Sequence, residues 1–457
     1  MSKCISISRR AFLASSACAL GAAAIGAGTV NFLSTIDVHG RIVIIGGGAA
    51  GCSMAARLMR KIEHPDITLI DPADKQFYQP GFTFIAAGIF QADEVWKRQQ
   101  DCLPKGDGFK WVKQMVTAVD PERQRVYTDD GRTIEYDFLV LTPGLQLNWN
   151  KVEGVTKETL AEVAHVGNAH CIYDFEGAQR IWPAIQSLTD KGGRGIFTDT
   201  YTKHKCGGAP KKICMLTEHL SRKKGTRKDL QLDYFCSEKA LYDVPYYTPR
   251  LLQIYDERNI ALQVRHKVKG IDIATKEVYF QPYELDADGN SIDLPEIVKE
   301  KYDLLSFVPP QSAPDFVREA GLSWQEGKLA KDGWVEVNKE TLIHNRYPNI
   351  VSFGDVAGIP TSKTSAAVRK QLPIAEENLL ALMQGKEPTA RYNGYACCPI
   401  VTDYGHVLLC EFDYDKNPDI TFPFSLLDMS KEQWAGWLLK RHFLKPMFFN
   451  AMLTGYM

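Results

Sequence analysis

The stretch Arg41–Cys52 reads R-I-V-I-I-G-G-G-A-A-G-C, and its reading decides the fold. Ile42, Val43, Ile44 and Ile45 are consecutive β-branched residues, the short continuous apolar run that a strand buried on both faces requires. Gly46, Gly48 and Gly51 follow at the dinucleotide spacing. The first permits a tight turn, the second lets backbone N–H groups approach a pyrophosphate, and the third lets helix pack closely on strand. The spacing predicts a helix from Ala49 to Lys61 whose N-terminus faces phosphate. A second apolar run, Ile67 to Ile70, ends at Asp71, about 20 residues past the last glycine, where a ribose hydroxyl takes a carboxylate. An ordinary glycine turn is the competing reading, and it does not account for the order strand, glycines, helix, strand, acid.

Working outward from this unit, the 457 residues allow two or three domains. With 45 % hydrophobic and 24 % charged residues the chain is globular, and a net charge of −1 gives no pull toward nucleic acid. Eleven cysteines without metal-type C-x-x-C pairs indicate neither a disulfide scaffold nor a metal site, so each is argued singly. The N-terminus carries Ser8, Arg9, Arg10, Phe12 and Leu13 ahead of an uncharged, Ala- and Gly-rich segment from Ala11 to Ile36. This is the pattern of a twin-arginine export leader; an uncleaved membrane anchor and a chance arginine pair compete with it.

Beyond Asp71, Phe77-Tyr78-Gln79-Pro80 falls where it reaches a flavin if the nucleotide is FAD. Val112–Asp120 and Arg125–Tyr127 read as a hairpin, and Tyr136–Leu141 as a buried strand stopped by Pro143-Gly144. A second α/β domain starts its first strand at Gly195–Thr198, but no second glycine fingerprint follows. Instead the chain reads T-D-T-Y-T-K-H-K-C-G-G-A-P-K-K, with Cys206 ahead of a helix starting near Pro210. A thiolate there is stabilised by the helix dipole and by Lys205, Lys211 and Lys212, although a surface position is the expected place for at least one of the last two; a small turn residue is the bland alternative for Cys206. Arg346–Asp355 gives another buried strand ending in Gly354-Asp355, the second FAD half-site, where the aspartate accepts from the ribityl chain and a helix beginning within Thr361–Ala367 faces the flavin. The last segment, Ser430–Met457, mixes Trp434, Trp437, Phe443, Phe448 and Phe449 with Lys440, Arg441 and Lys445. It reads as an interfacial membrane helix, or else as a core or dimer-interface helix.

These residues together resemble the sulfide:quinone oxidoreductase family, in particular the branch that includes the mitochondrial enzymes. The resemblance runs from about Gly40 to Tyr456 through G-G-G-A-A-G, F-Y-Q-P, K-C-G-G-A-P-K-K, R-Y-P-N, G-D, P-T-S-K-T-S-A-A-V, C-P-I-V-T and E-F-D-Y in order. It implies an α/β fold of two tandem Rossmann-like domains with a C-terminal amphipathic, membrane-associated segment. The limits expected are 1–39 for the leader or anchor, 40–159 with 325–390 for the FAD domain, 160–324 for the second domain and 391–457 for the tail. It implies Cys206 and Cys398 as the redox pair, with no counterpart for Cys397, whose place beside Cys398 leaves open whether it can substitute as a partner. FAD would rest on Gly46, Gly48, Gly51, Asp71, Gly354, Asp355 and Lys363, and Lys440 matches a lysine near the quinone.

The activity implied is attack of hydrogen sulfide on the oxidised pair at Cys398, leaving a persulfide and freeing Cys206, which passes two electrons through FAD to a membrane quinone. The sulfane sulfur goes to an acceptor or grows into a polysulfide. The expected partners are thus sulfide, quinone, a sulfane-sulfur acceptor and a membrane surface, with a homo-oligomer possible and the periplasmic side of a bacterial inner membrane as the location. Three rivals stand beside it. A flavocytochrome c sulfide dehydrogenase subunit would tether FAD through a cysteine in the segment matching Phe77–Pro80, which has none. An NADH:quinone dehydrogenase would need the missing second fingerprint, and a non-catalytic flavin-binding protein would leave the cysteines incidental.

Overall fold

A computed structural model describes residues 35–287 and 289–457, so the expected leader lies outside the described residues almost entirely. The chain begins with β1 (Ile42–Ile45), α1 (Ala49–Lys61) and β2 (Ile67–Ile70), then β3 (Phe109–Val112) and β4 (Phe138–Leu141). It continues through β5 (Ala169–His170), α2 (Phe175–Lys191), β6 (Gly193–Thr198), α3 (Ala209–Lys224), β7 (Leu230–Cys236), β8 (Ala261–Val264) and β9 (Leu304–Ser306). Last come β10 (Ile350–Ser352), α4 (Ser365–Met383) and the hairpin β11 (Ala396–Asp403) and β12 (His406–Phe412).

Two five-stranded sheets result. The first has the order β10-β4-β1-β2-β3 and the second β5-β9-β6-β7-β8, with every pairing in both parallel. Parallel sheets are covered on both faces, which is why Ile42–Ile45 is buried at all four positions and carries no polar alternation. In register, Ile42 lies opposite Ile67 on one side and Phe138 on the other. The chain leaves the first sheet after β4, builds the second, and returns at β10, which brings Gly354 against the start of α1; a Cβ at Gly354 would lie 3.3 Å from that of Ala50. The carboxyl ends of β1 and β10 thus open on one crevice, the place where open α/β sheets bind ligands.

The glycines of the first turn have separate tasks. Gly46 takes φ +94°, in the left-handed region, and Thr142 donates from Oγ1 to the Ile45 carbonyl at 3.0 Å to close the turn. A Cβ on Gly51 would lie 1.9 Å from the Gly46 carbonyl oxygen, whereas one on Gly48, at the N-terminus of α1, would meet no atom within 4 Å.

Two expectations are corrected here. Residues 112–120 are not one hairpin strand: Phe109–Val112 joins the parallel sheet beside β2, and only Val116–Asp120 pairs with Arg125–Thr128. The second sheet does not start at Gly195, because Ala169–His170 already forms its edge, held beside β9. A two-residue strand has no periodicity to read.

The tail also departs from a single interfacial helix. Trp434–Leu438 is α5, and short helical pieces continue to Met452. Phe448, Phe449, Met452 and Leu453 are buried against the first domain, Trp437 packs 5.5 Å from Phe84 and Phe448 5.3 Å from Tyr78. Lys445 pairs with Glu94 at 2.8 Å and Lys440 is buried. Much of the expected membrane face is therefore core packing. The exposed apolar side chains of this region include Phe422, Leu426, Leu427, Trp434, Phe443 and Tyr456, the first three of them ahead of the segment the sequence singled out. Among the described residues no helix is long and apolar enough to cross a membrane.

The turn predicts an asymmetry between its glycines. Gly51→Ala should destabilise the fold by about 3 kcal/mol, since backbone must move to admit the methyl, while Gly48→Ala should change stability by less than about 1 kcal/mol. Urea unfolding of both variants checks this.

Candidate active site

The K-C-G-G segment between β6 and α3 holds the first cysteine in an uncommon conformation. Cys206 has φ +42°, left-handed for a side chain-bearing residue, and three backbone bonds keep it there. Its N–H donates to the Lys363 carbonyl at 2.9 Å, and its own carbonyl accepts from Ala209 N at 2.8 Å and from the Tyr173 hydroxyl at 3.1 Å. The second cysteine arrives on another element. Strand β11 packs across α3, and a Cβ on Gly208 would lie 2.6 Å from Cys398 Sγ, so glycine is what admits that sulfur. The two thiol sulfurs stand 3.3 Å apart.

The charges around this pair are organised by Lys212. Its Nζ lies 3.4 Å from Cys206 Sγ, and its side chain is 2 % exposed. The hydrogen bond from Cys398 holds Cys206 well below the usual thiol range; burial opposes this, and the charges of Lys212 and Lys440 reinforce it. The same hydrogen bond, with burial, pushes Cys398 up, the opposite direction to Cys206. Burial alone would discharge Lys212, but the Cys206 and Cys398 sulfurs keep its pKa raised. Lys211 is also buried, donating to Asp199 at 3.1 Å, to the Gly207 carbonyl at 2.9 Å and to Tyr234 at 3.2 Å. The expectation of a surface lysine at 211 or 212 therefore fails, because the first turn of α3 faces inward between the sheet and the hairpin.

Other segments converge on the loop. Lys205 donates to Gln79 Oε1 at 2.6 Å, tying the F-Y-Q-P stretch to the cysteine loop. Lys440 donates to the Pro80 carbonyl at 3.3 Å, and burial, then repulsion from Lys212, lower it to about 7. Tyr173 and Gln79 were not identifiable from sequence as contacts of this loop, since both act across long chain separations.

The residues expected to hold a cofactor lie on the other side. Asp71 accepts from Gly47 N at 2.6 Å and Ala73 N at 2.7 Å; burial raises its pKa against those two bonds. Gly354 donates to Gln371 Oε1 at 2.9 Å, and Asp355 sits half-buried in the following turn. Thr364 caps α4 by accepting from Ala367 N. Lys363 is brought to the cysteine loop by its carbonyl, while its Nζ turns to the Ala357 carbonyl at 2.9 Å and lies 3.8 Å over Trp334. Burial, then Lys203, lowers its pKa well below the usual value. Cys397, next to Cys398, points to the opposite face of β11 and packs in the core of the first domain, as strand alternation demands. It is thus no substitute partner for Cys206. Among the described residues no group of side chains is arranged to hold a metal.

Two dinucleotide-type sheets with a thiol pair at a helix start define a two-domain pyridine nucleotide-disulphide oxidoreductase architecture, and the pyridine nucleotide-disulphide oxidoreductase family model matches residues 40–181. The chain is 35 % identical to the mitochondrial sulfide:quinone oxidoreductase of Dictyostelium discoideum, over 91 % of this chain and 86 % of that one. It is 32 % identical to the mitochondrial sulfide:quinone oxidoreductase of Mus musculus, over 92 % and 88 %. Its fold matches the solved sulfide:quinone oxidoreductase of Aquifex aeolicus with a TM-score of 0.71 at 21 % identity, covering 91 % of this chain and 92 % of that chain. The chain belongs to the sulfide:quinone oxidoreductase family.

Lys212→Met should raise the Cys206 pKa, because the cation that favours the thiolate is removed. The thiolate would then form only at higher pH. The midpoint of the alkylation rate of Cys206 against pH should move up by roughly one unit or more, as followed by mass spectrometry of the loop peptide.

Proposed function

We propose that this chain oxidises hydrosulfide at the Cys206–Cys398 pair and passes two electrons through FAD to a quinone. The observation that carries the reading is the pair itself, two sulfurs 3.3 Å apart with the Lys212 ammonium against one of them. In the oxidised form, hydrosulfide attacks Cys398 Sγ; the bond to Cys206 breaks, a sulfur–sulfur bond to the incoming atom forms, and the electron pair is left on Cys206. Lys212 stabilises that thiolate, and the dipole of α3 adds to it. Tyr173 and the Lys363 carbonyl hold the loop still.

The residues present fit FAD. The open side of Gly48 at the start of α1 leaves room for a pyrophosphate, the half-buried Asp71 carboxylate lies beside that turn, and Gly354-Asp355 faces it from β10. Gly46, Gly48, Gly51, Asp71, Gly354 and Asp355 would hold the cofactor, with Lys363 acting through its backbone on the cysteine loop. When bound, FAD supplies two-electron transfer between thiolate and quinone. The absence of cysteine from Phe77–Pro80 favours a non-covalent flavin over the flavocytochrome reading, and Cys206-Gly207-Gly208 in place of a second fingerprint disfavours NADH as donor. The domain limits given above belong to this reading, supported by the place of β10 in the first sheet.

We also propose that the protein sits on a membrane surface, with Phe422, Leu426, Leu427, Trp434 and Phe443 as its apolar contact. The twin-arginine pattern supports the periplasmic side. Replacing Phe422, Leu426 and Trp434 together by Ser should lower binding to phospholipid vesicles about tenfold or more, in a flotation assay, without changing the flavin spectrum. Unchanged flotation would point to another contact.

Anaerobic titration tests the activity. Sulfide should bleach the flavin of the purified protein, a soluble quinone should restore it, and NADH should do nothing. Cys206→Ser should lose the long-wavelength thiolate-to-flavin band and nearly all bleaching, whereas Cys398→Ser should keep the thiolate and lose turnover. Bleaching by NADH but not by sulfide would overturn the proposal.

A further inference from the structure

The turn between β6 and α3 carries a second lysine whose charge the cysteine chemistry does not use. Lys211, in the first turn of α3, is 3 % exposed, and a cation there opposes the helix dipole. An ammonium has three protons to place, and all three find acceptors: Asp199 at 3.1 Å, the Tyr234 hydroxyl at 3.2 Å and the Gly207 carbonyl at 2.9 Å. Asp199 directly follows β6, is 1 % exposed and is itself held, since its carboxylate accepts from Ser237 N at 2.6 Å and from the Tyr234 hydroxyl at 3.3 Å. The carboxyl ends of β6 and β7 and the start of α3 therefore close on an internal ion pair, at the place where folds of this kind otherwise receive a phosphate.

A buried ion pair is a poor source of stability, because apolar side chains of equal volume in its place often leave a protein as stable or more so. What this pair supplies is a fixed point. Two glycines follow Cys206, and a Gly-Gly link is the least constrained a chain can have. The Cys206 N–H and carbonyl are held by Lys363, Ala209 and Tyr173, whereas the hydrogen bond to the Gly207 carbonyl comes from Lys211 Nζ. The next residue is the seat of the partner sulfur: a Cβ on Gly208 would lie 2.6 Å from Cys398 Sγ and 3.0 Å from Ile400 Cγ1. The peptide that Lys211 holds is thus the one whose position sets where Cys398 can stand relative to Cys206.

We propose that Asp199 and Lys211 are positioning residues for the cysteine pair: Asp199 anchors the Lys211 ammonium, and the ammonium fixes the Gly207–Gly208 peptide so that the two sulfurs stay placed to form and re-form their bond. Neither side chain reacts. This rests on Cys206 and Cys398 being the redox pair and adds to it the part of the fold that keeps them together.

The test equilibrates the full flavin-loaded chain anaerobically with buffers of reduced and oxidised glutathione, in which each glutathione disulfide consumed closes one Cys206–Cys398 bond and releases two glutathiones. Mass spectrometry of the linked Cys206 and Cys398 peptides reads the equilibrium constant. Asp199→Leu combined with Lys211→Met exchanges the ion pair for apolar side chains; its Tm should be unchanged or higher, and the constant should fall about tenfold or more, the loss of a hydrogen bond from a charged donor. Asp199→Asn, which keeps the shape and removes the charge, should lower the constant by about threefold or more. Constants equal to the wild type in both variants overturn the assignment. A fall matched by a lower Tm in both overturns it too, in favour of a packing role. A wild type that closes no bond between Cys206 and Cys398 overturns the pair itself, and this assignment with it. A pair that closes in the wild type and weakens in the variants, while sulfide leaves the flavin unbleached, overturns the proposed function alone and supports the positioning role.

Discussion

A lysine ammonium taken out of water needs an anion beside it, and Lys212 is buried with the sulfur of Cys206 as its neighbour. Among the described residues no carboxylate pairs with it. Each group therefore depends on the other: the cation lowers the thiol's pKa, and the thiolate keeps the cation charged. Much of the molecule serves to keep these two together and dry. Strand β11 closes over them and supplies the second sulfur, Lys211 and Asp199 tie the first turn of α3 to the sheet beneath, and the strained backbone of Cys206 is held from both sides by Lys363 and Tyr173.

This arrangement links the two halves of the fold. The Cys206 loop belongs to the second sheet, yet its fixed points include Lys363 next to α4 and Gln79 in the first domain. A loop so anchored cannot shift without disturbing the crevice at the ends of β1 and β10. The geometry suits electron transfer, in which a sulfur must stay at one distance from its acceptor through the cycle. It also explains why the second domain keeps a dinucleotide fold without a glycine fingerprint: the turn after β6 presents a thiol where a nucleotide-binding domain would present backbone N–H groups.

The tail shows that amphipathicity alone leaves open what covers an apolar stripe. Trp437, Phe448 and Phe449 with Lys440 and Lys445 have the composition of a membrane-surface helix, but the aromatic rings pack on Phe84 and Tyr78 and the lysines are held by Glu94 and Pro80. An apolar stripe is the same whether lipid or protein covers it. The apolar side chains left uncovered include Phe422, Leu426 and Leu427, in a loop with no periodicity to announce them.

The sequence by itself determined the parallel sheet and its phosphate turn, because Ile42–Ile45 and the three glycines act through local backbone geometry and through burial that every neighbour enforces alike. It also determined which cysteine starts a helix among lysines, since Cys206, Pro210 and Lys212 lie within two helical turns. Only the tertiary structure decided the rest. That Lys211 and Lys212 face inward, that Cys397 turns away from Cys398 and that the edge strand Ala169–His170 exists are consequences of which faces of distant segments meet. The physical reason is range: propensity, capping and turn chemistry act over a few residues of chain, whereas burial, charge pairing and thiol acidity are set by neighbours brought from hundreds of residues away.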